Sequence, residues 1–440
     1  MNFSFKELTF ITMCAFERSE KGMEFFMKQQ VMKILKENNQ EQIIDILNKM
    51  NYEDSKKLMK QILTLDFSEV NTLYNELKNG YSEDVKKIEP VNYTEKCKLS
   101  QNEISEYKAL GKEIIEKNKL AVISLAGGQG TRLGHSGPKG TYELSLEEIF
   151  GKKVSIFEVL AQNFLKAKEL YGVDVNWYIM TSNDNNKATT DFFEKNNYFN
   201  LKKEQVNFFI QNDIPVIDEN GKILVGANYL IKTASNGNGG IYEVLDKQGI
   251  LSDMKKKEIE WVFVSGVDNI LVNPIDPIFI GLTIKEKNLV AVKTVKKLDA
   301  NEKTGVYCKK DGKIGVIEYN EISDELRNAK DENSELLYGQ SNIVSHLYNI
   351  QALEFLKSVE LPYHRAHKKG SYIDKNLQEI FPTEPNVYKF EKYIFDAFGK
   401  FDDVTILSVE KKEEFAPIKN AEGNDSPETA KVLYVEKVKN

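Results

Sequence analysis

Cysteine, histidine and arginine are scarce in this 440-residue chain, and each scarcity excludes something. The three cysteines, Cys14, Cys97 and Cys308, lie far apart and form no CxxC pair. That pattern rules out a disulfide framework and a cysteine-ligated zinc site, and a cytoplasmic, reducing location is expected. Of the four histidines, His364 and His367 stand three apart in "PYHRAHKKG". No third ligand is near, so they are read as loop residues and not as a metal pair. Apolar runs stay well short of the roughly 18 residues of a membrane span. The first thirty residues mix acids into every apolar segment and lack a basic start and a small-residue cleavage site, so no signal peptide is expected. A formal net charge of −7 gives no global basic field, which argues against nucleic acid and membrane partners. Any anionic ligand must be held by a local site.

With 41% hydrophobic and 29% charged residues the composition is that of a globular protein, and the length exceeds what one core usually supports. Residues 1–100 repeat apolar positions at helical spacing, as in "EQIIDILNKMNYEDSKKLMKQIL", which predicts a helical N-terminal region with a solvated charged face. From Ala121 the texture changes. The runs "AVISL", "VNWYIMTS", "QVNFFI", "WVFVSGV" and "LVAVKTV" have strand length and alternate with helical segments such as "SIFEVLAQNFLKAKELY". This predicts an α/β fold with a doubly wound, mostly parallel sheet. Residues 304–319 read as a hairpin turning at Asp311-Gly312. "NAEGNDSPETAK" reads as a loop. The expected division is 1–100, 101–385 and 386–440.

The stretch "AVISLAGGQGTRLGHSGPKG" carries the chemistry. Ligands of doubly wound sheets bind beyond the carboxyl ends of the strands, where "AVISL" delivers Gly127, Gly128 and Gly130. Amides of such a loop can converge on phosphate oxygens. The spacing GxGxxxG fits neither a dinucleotide fingerprint nor a P-loop. Arginine occurs only at Arg18, Arg132, Arg327 and Arg365, so Arg132 inside the glycine loop suggests selection for its fork of donors. Lys139 follows the fixed φ of Pro138. Together these features point to a triphosphate.

"LAGGQGTRLGHSGPKG" resembles the nucleotide-binding signature of the UTP-dependent sugar-1-phosphate uridylyltransferases, most closely their eukaryotic N-acetylglucosamine branch. The likeness continues through "WYIMTS", "FFIQNDIP", "NGNGGIYEVL", "VSGVDNILV", "GVIEYNEIS", "PNVYKFEKYIFDAF" and "EEFAPIKNA", from about residue 100 to 427. It implies a Rossmann-like, glycosyltransferase-A-like nucleotidyltransferase sheet. It also implies a Mg²⁺-dependent reaction of UTP with a sugar 1-phosphate, N-acetylglucosamine 1-phosphate first among them. Leu125, Ala126, Gly127, Gly128 and Lys139 would then take the nucleotide, Gln211 the uracil edge, and Gly237 the close approach beside the base. Asp268, ending "WVFVSGVD", would hold the metal. Asn238, Glu318 and Tyr319 would face the sugar, with Gly305 and Asn342 at the N-acetyl group. Lys389 and Lys419 would contact phosphate, and Arg132, Lys139, Asp268 and Lys419 would form the catalytic set.

Three departures from the family stand out. Gln340-Ser341 replaces the family's Ala-Gly before Asn342, "HSGPK" is unusual before the loop lysine, and the chain ends at Asn440 where eukaryotic relatives continue. The last leaves the oligomeric state open, with a monomer favoured. UDP-glucose or broad UDP-sugar synthesis is the second expectation, and a non-catalytic nucleotide-sugar binder the third.

Overall fold

The computed structural model describes residues 20–79 and 87–439. Cys14, Arg18 and residues 1–19 of the stretch read for a signal peptide lie outside them. Two compact units interleave along the chain. One comprises Met1–Ser82, Asp213–Asn236 and Tyr363–Glu391, and the other Glu83–Asn212, Gly237–Pro362 and Lys392–Asn440. This differs from a contiguous three-part division, because two mid-sequence segments pack with the N-terminal helices.

In the first unit the helices Glu20–Glu37, Glu41–Leu47, Tyr52–Thr64 and Phe67–Asn79 bury Val31, Leu35, Leu58 and Ile62. Ile217, Ile223, Ile231 and Phe390 join the same cluster from the two inserted segments. Those segments are short strands: Asp213–Pro215 pairs with Thr233–Ser235, and His364–Lys368 pairs with Val387–Glu391. His364 and His367 are therefore strand residues, opposite Glu391 and Tyr388, and not loop residues. Residues three apart in a strand face opposite sides, which separates the two imidazoles. His367 instead stacks on Tyr388 at 4.3 Å.

The second unit is built on a large mixed sheet. Its main strands are β1 Leu120–Leu125, β2 Asn176–Thr181, β3 Val206–Ile210, β4 Trp261–Gly266, β5 Val290–Lys296, β6 Gln340–Asn349 and β7 Thr405–Ser408. The spatial order is β7-β5-β6-β4-β1-β2-β3, and the short strand Thr94–Glu95 runs beside β7. β4, β1, β2 and β3 are mutually parallel, whereas β6 runs antiparallel between β4 and β5. The five apolar runs identified from Ala121 onward supply β1 to β5. Both faces are buried, so the runs show no polar alternation. Val122, Trp177 and Phe263 point to one core with Phe157, Phe164 and Phe279, while Ile123, Tyr178 and Val264 point to the other with Tyr242, Leu251 and Leu353. The hairpin turns at Asp311-Gly312 as expected, with both residues at positive φ. β6 has no counterpart among the runs selected from sequence, because "QSNIVSHLYN" mixes polar residues into its apolar positions. The expected loop at residues 420–431 is overturned at its end: the helix Pro427–Lys439 starts there. Ser426 Oγ accepts from the Thr429 amide, a cap that the polar composition conceals.

A buried charge cluster joins four distant segments of this unit. Lys293 Nζ on β5 donates to Asp276 Oδ2 at 2.8 Å and to Glu414 Oε2 at 2.5 Å, and Lys96 Nζ reaches the same two carboxylates at 2.9 and 3.0 Å. Burial would raise the Asp276 carboxyl, but the Lys293 and Lys96 ammonium groups outweigh it and hold it well below the usual carboxylate range. A carboxyl depressed in the folded state contributes stability above its unfolded value, near 4, and loses it as pH falls through the folded one. Removing one partner of such a cluster strands a buried charge. Lys293→Met is expected to lower the urea-unfolding free energy by about 3–5 kcal/mol at pH 7. The gap from wild type should narrow below about pH 4. A pH-independent difference would contradict this account.

Candidate active site

β1 and β4 run side by side with Leu125 opposite Gly266, so their carboxyl ends open at the same place. The Val267 amide donates to Leu125 O at 3.1 Å, and Asp268 follows one residue later. From β1 the chain enters the glycine loop, whose two arms are tied together. Gly130 N–H donates to Gly137 O, and Lys139 N–H to Gly128 O, at 2.9 and 3.1 Å. This closure folds Lys139 back beside β4: its Nζ lies 3.7 Å from Asp268 Oδ2. Both side chains are largely covered, at 18% and 25% exposure, so the pair is a site feature and not a solvated surface contact.

Asp268 also organises the C-terminal segment. Its carbonyl accepts from the Ile418 amide at 3.0 Å, which puts Lys419 next to it in the chain. The adjacent Asn269 is buried and reinforces this, donating to Glu414 O and accepting from the Ala416 amide. Lys419 Nζ rests 5.7 Å from the centroid of the Phe415 ring. Three segments distant in sequence thus bring Lys139, Asp268 and Lys419 to one edge of the sheet. Arg132 sits exposed in the short turn Thr131–Leu133 of the same loop.

Gln211 follows β3 and lies against Gly127. A Cβ at residue 127 would fall 2.4 Å from Gln211 Oε1, so a larger residue there would push the Gln211 side chain aside. Gly237 has φ +83°, ψ 173°, a region essentially restricted to glycine, and it opens the turn that carries Asn238. Asn238 Oδ1 accepts from the Ile394 amide at 2.9 Å, leaving Nδ2 as its remaining polar group. Gly305, Glu318 and Asn342 are brought together: Asn342 N–H donates to Gly305 O, and a Cβ on Gly305 would meet Glu318 Oε1 at 2.7 Å. Tyr319 follows Glu318 and is 42% exposed. Gln340 and Ser341 direct their polar atoms to Thr294 and Thr304, so the departure from Ala-Gly leaves Asn342 beside Gly305. Lys389 is the exception. It belongs to the other unit, on Val387–Glu391 opposite Ala366, where burial of Lys232 and then the Lys389 charge lower the Lys232 ammonium.

Two residues of this region escaped the sequence reading. Asn185 is fully buried and its Nδ2 donates to Ala126 O at 2.9 Å and Gly128 O at 3.3 Å, while Oδ1 accepts from the Ser182 amide. It holds the glycine loop from beneath. His135 packs inside the loop with Nε2 2.8 Å from Thr141 Oγ1. Because the Thr141 hydroxyl donates to Pro138 O, the imidazole must be the donor. The "HS" departure is therefore an internal brace. An asparagine four residues past a strand carries no such signal in sequence.

A family model described as UTP–glucose-1-phosphate uridylyltransferase matches residues 67–434. The chain belongs to this family. Among uridylyltransferase-family relatives, UDP-N-acetylglucosamine pyrophosphorylase of Saccharomyces cerevisiae is 38% identical over 371 residues, covering 80% of this chain and 75% of that one. UDP-N-acetylglucosamine diphosphorylase 2 of Arabidopsis thaliana is 32% identical over 434 residues, 92% of this chain and 83% of that one. The crystal structure of uridine diphosphate N-acetylglucosamine pyrophosphorylase from Trypanosoma brucei superposes with a TM-score of 0.78 at 30% identity, over 93% of this chain and 84% of that one. A UDP-glucose pyrophosphorylase from Leishmania major shares the fold at 18% identity and a TM-score of 0.62, over 89% and 76%. The nucleotidyltransferase α/β fold is thereby established.

Asn185→Ala removes both loop bonds and takes from the carbonyl of buried Ala126 its Asn185 donor, while Gly128 O keeps the Lys139 amide. We expect a KM for UTP raised about tenfold, the weight of one to two hydrogen bonds, with a modest fall in Tm. An unchanged KM would remove Asn185 from loop support.

Proposed function

We propose that this protein transfers the uridylyl group of UTP to N-acetylglucosamine 1-phosphate, giving UDP-N-acetylglucosamine and pyrophosphate. The observation that carries the proposal is the convergence of the tied glycine loop, Lys139, Asp268 and the Lys419 segment at the shared carboxyl edge of β1 and β4. The sugar assignment is supported by the names of the relatives at 38% and 32% identity, whereas the glucose-specific structural neighbour supports the fold only.

An oxygen of the sugar phosphate attacks the α-phosphorus of UTP in line, and the bond to the β-phosphate oxygen breaks with its electron pair leaving on pyrophosphate. A phosphate monoester has its second pKa near 6, so the nucleophile is ionised at pH 7 and needs no general base. What must be overcome is repulsion between polyanions, each unit pair about 4 Å apart costing roughly 4 kcal/mol at an effective dielectric near 20. Lys139 and Arg132 neutralise the triphosphate, loop amides from Gly127 and Gly128 hold it, and Lys419 screens the phosphates. Leu125, Ala126, Gln211 and Gly237 seat the uridine. Asn238, Glu318 and Tyr319 bond the sugar hydroxyls.

The donor set bears on the metal. Among the described residues no group of three or more His, Cys, Asp or Glu side chains is placed to hold an ion, so Asp268 belongs to no preformed multi-ligand cage there. Such a site suits Mg²⁺, which keeps its waters and binds through one or two carboxylates plus substrate phosphates. Asp268 would hold it, and when bound it supplies positive charge across the phosphates of the transition state.

Purified protein given UTP, Mg²⁺ and a panel of sugar 1-phosphates should release pyrophosphate fastest with N-acetylglucosamine 1-phosphate. Preference for glucose 1-phosphate would favour the activity named by the family model, and no turnover with any sugar would mean a non-catalytic binder. Asp268→Asn should lower kcat on the order of 100-fold or more. Asp191→Asn, at a position 59% exposed and paired with Lys187, should leave it within twofold of wild type. Equal effects would dismiss Asp268 as the metal ligand.

A further inference from the structure

Beneath Gly305 and Glu318 lies a buried polar chain that the uridylyl-transfer chemistry does not use. Asn342 Oδ1 accepts from the Val344 amide at 3.0 Å and from the Tyr307 hydroxyl at 3.1 Å, and His346 Nε2 lies 3.3 Å away. A backbone N–H can only donate, so the atom facing it is the amide oxygen, and the orientation of the Asn342 side chain follows. The Tyr307 hydroxyl lies 3.2 Å from His346 Nε2. Since its proton goes to Asn342, the imidazole must donate in turn, which puts the ring proton on Nε2. His346 and Tyr307 are buried, and burial pushes the imidazole down to about 3, so it is neutral at pH 7. The chain continues through Tyr348, whose hydroxyl is 3.5 Å from Nδ1, to Tyr242, which donates to Ile394 O.

The backbone is shaped around the same amide. β6 places four residue steps, Asn342 to His346, against the two from Thr294 to Val292 on β5, so two extra residues bulge out of the ladder. Val344, within that bulge, has φ +50°, a conformation that a β-branched residue adopts only under constraint. Its amide is the one that Asn342 Oδ1 accepts. The Val344 amide and the Tyr307 hydroxyl thus converge on the oxygen with the imidazole Nε2 beside them, and no bond is made by Nδ2 among the described residues.

We propose that Tyr307 and His346 are positioning residues that lock the Asn342 amide with its Nδ2 donors available to the sugar, so that the pocket selects a sugar 1-phosphate whose C2 substituent carries a carbonyl oxygen. This rests on the proposed function and adds the polarity of the contact. A pocket built to donate here discriminates by a hydrogen bond, and such sites discriminate more sharply than apolar ones.

The test is the ratio of kcat/KM for N-acetylglucosamine 1-phosphate to that for glucose 1-phosphate. Asn342→Asp keeps an acceptor for Val344, Tyr307 and His346 but replaces the Nδ2 donors with a second acceptor. We expect Tm within a few degrees of wild type and the ratio to fall at least tenfold. Tyr307→Phe should lower the ratio about three- to tenfold, through KM for the acetylated sugar and with KM for UTP unchanged. A ratio held within twofold in Asn342→Asp, or equal losses on both sugars in Tyr307→Phe, would overturn the inference. A wild type preferring glucose 1-phosphate refutes the proposed sugar separately. The lock is then decided by whether Tyr307→Phe raises KM for that sugar while KM for UTP stays fixed.

Discussion

The parallel pairing of β1 with β4 is the constraint on which the site depends. Register opposes Leu125 to Gly266, and the Val267 amide on Leu125 O extends that pairing one residue past the sheet. The glycine loop and a strand end with a carboxylate are therefore held side by side by backbone hydrogen bonds, and not by the charges themselves. Charged groups that must meet a polyanion need such support, because left to their own attraction they would relax into solvent-screened pairs of little value.

Around that pairing the chain has built supports of different kinds. Asn185 and His135 brace the loop from below and within, using bonds that do not draw on the loop's lysine and arginine side chains. Asn269 and the Lys293, Asp276, Glu414 and Lys96 cluster anchor the segment that ends at Lys419. The cluster is balanced, two ammonium groups to two carboxylates. That balance reconciles its depth in the core with the high cost of burying charge. The residues under Asn342 form a third support, again neutral, whose direction at Asn342 is fixed by the Val344 amide.

The bulge in β6 shows how the antiparallel strand serves function. An uninterrupted ladder would spend the amides of β6 alternately on β4 and β5, but the two extra residues free the Val344 amide for a side chain. The strained φ at Val344 persists because neighbouring pairs on β4 and β5 hold β6 on either side. Gln340 and Ser341, bulkier than the family's usual pair, are tolerated because Thr294 and Thr304 offer partners.

By itself the sequence determined the doubly wound core, the hairpin at Asp311-Gly312, and the identity of Gly127, Gly128, Lys139 and Asp268 as ligand-facing candidates. Strand runs buried on both faces, a turn needing positive φ, and glycine beside a strand end each leave a local trace in residue type. The tertiary structure decided the rest. Asn185, His135, Tyr307 and His346 act through partners far away in sequence or through side-chain direction, and an amide or imidazole looks the same in a list whether it braces a loop or faces solvent. The interleaving of the two units was likewise invisible, since Asp213–Asn236 and Tyr363–Glu391 are apolar enough for any core and only contact shows which one they join. Local composition records what a residue is able to do; which partner it meets is set by long-range packing, and no short window of sequence contains that.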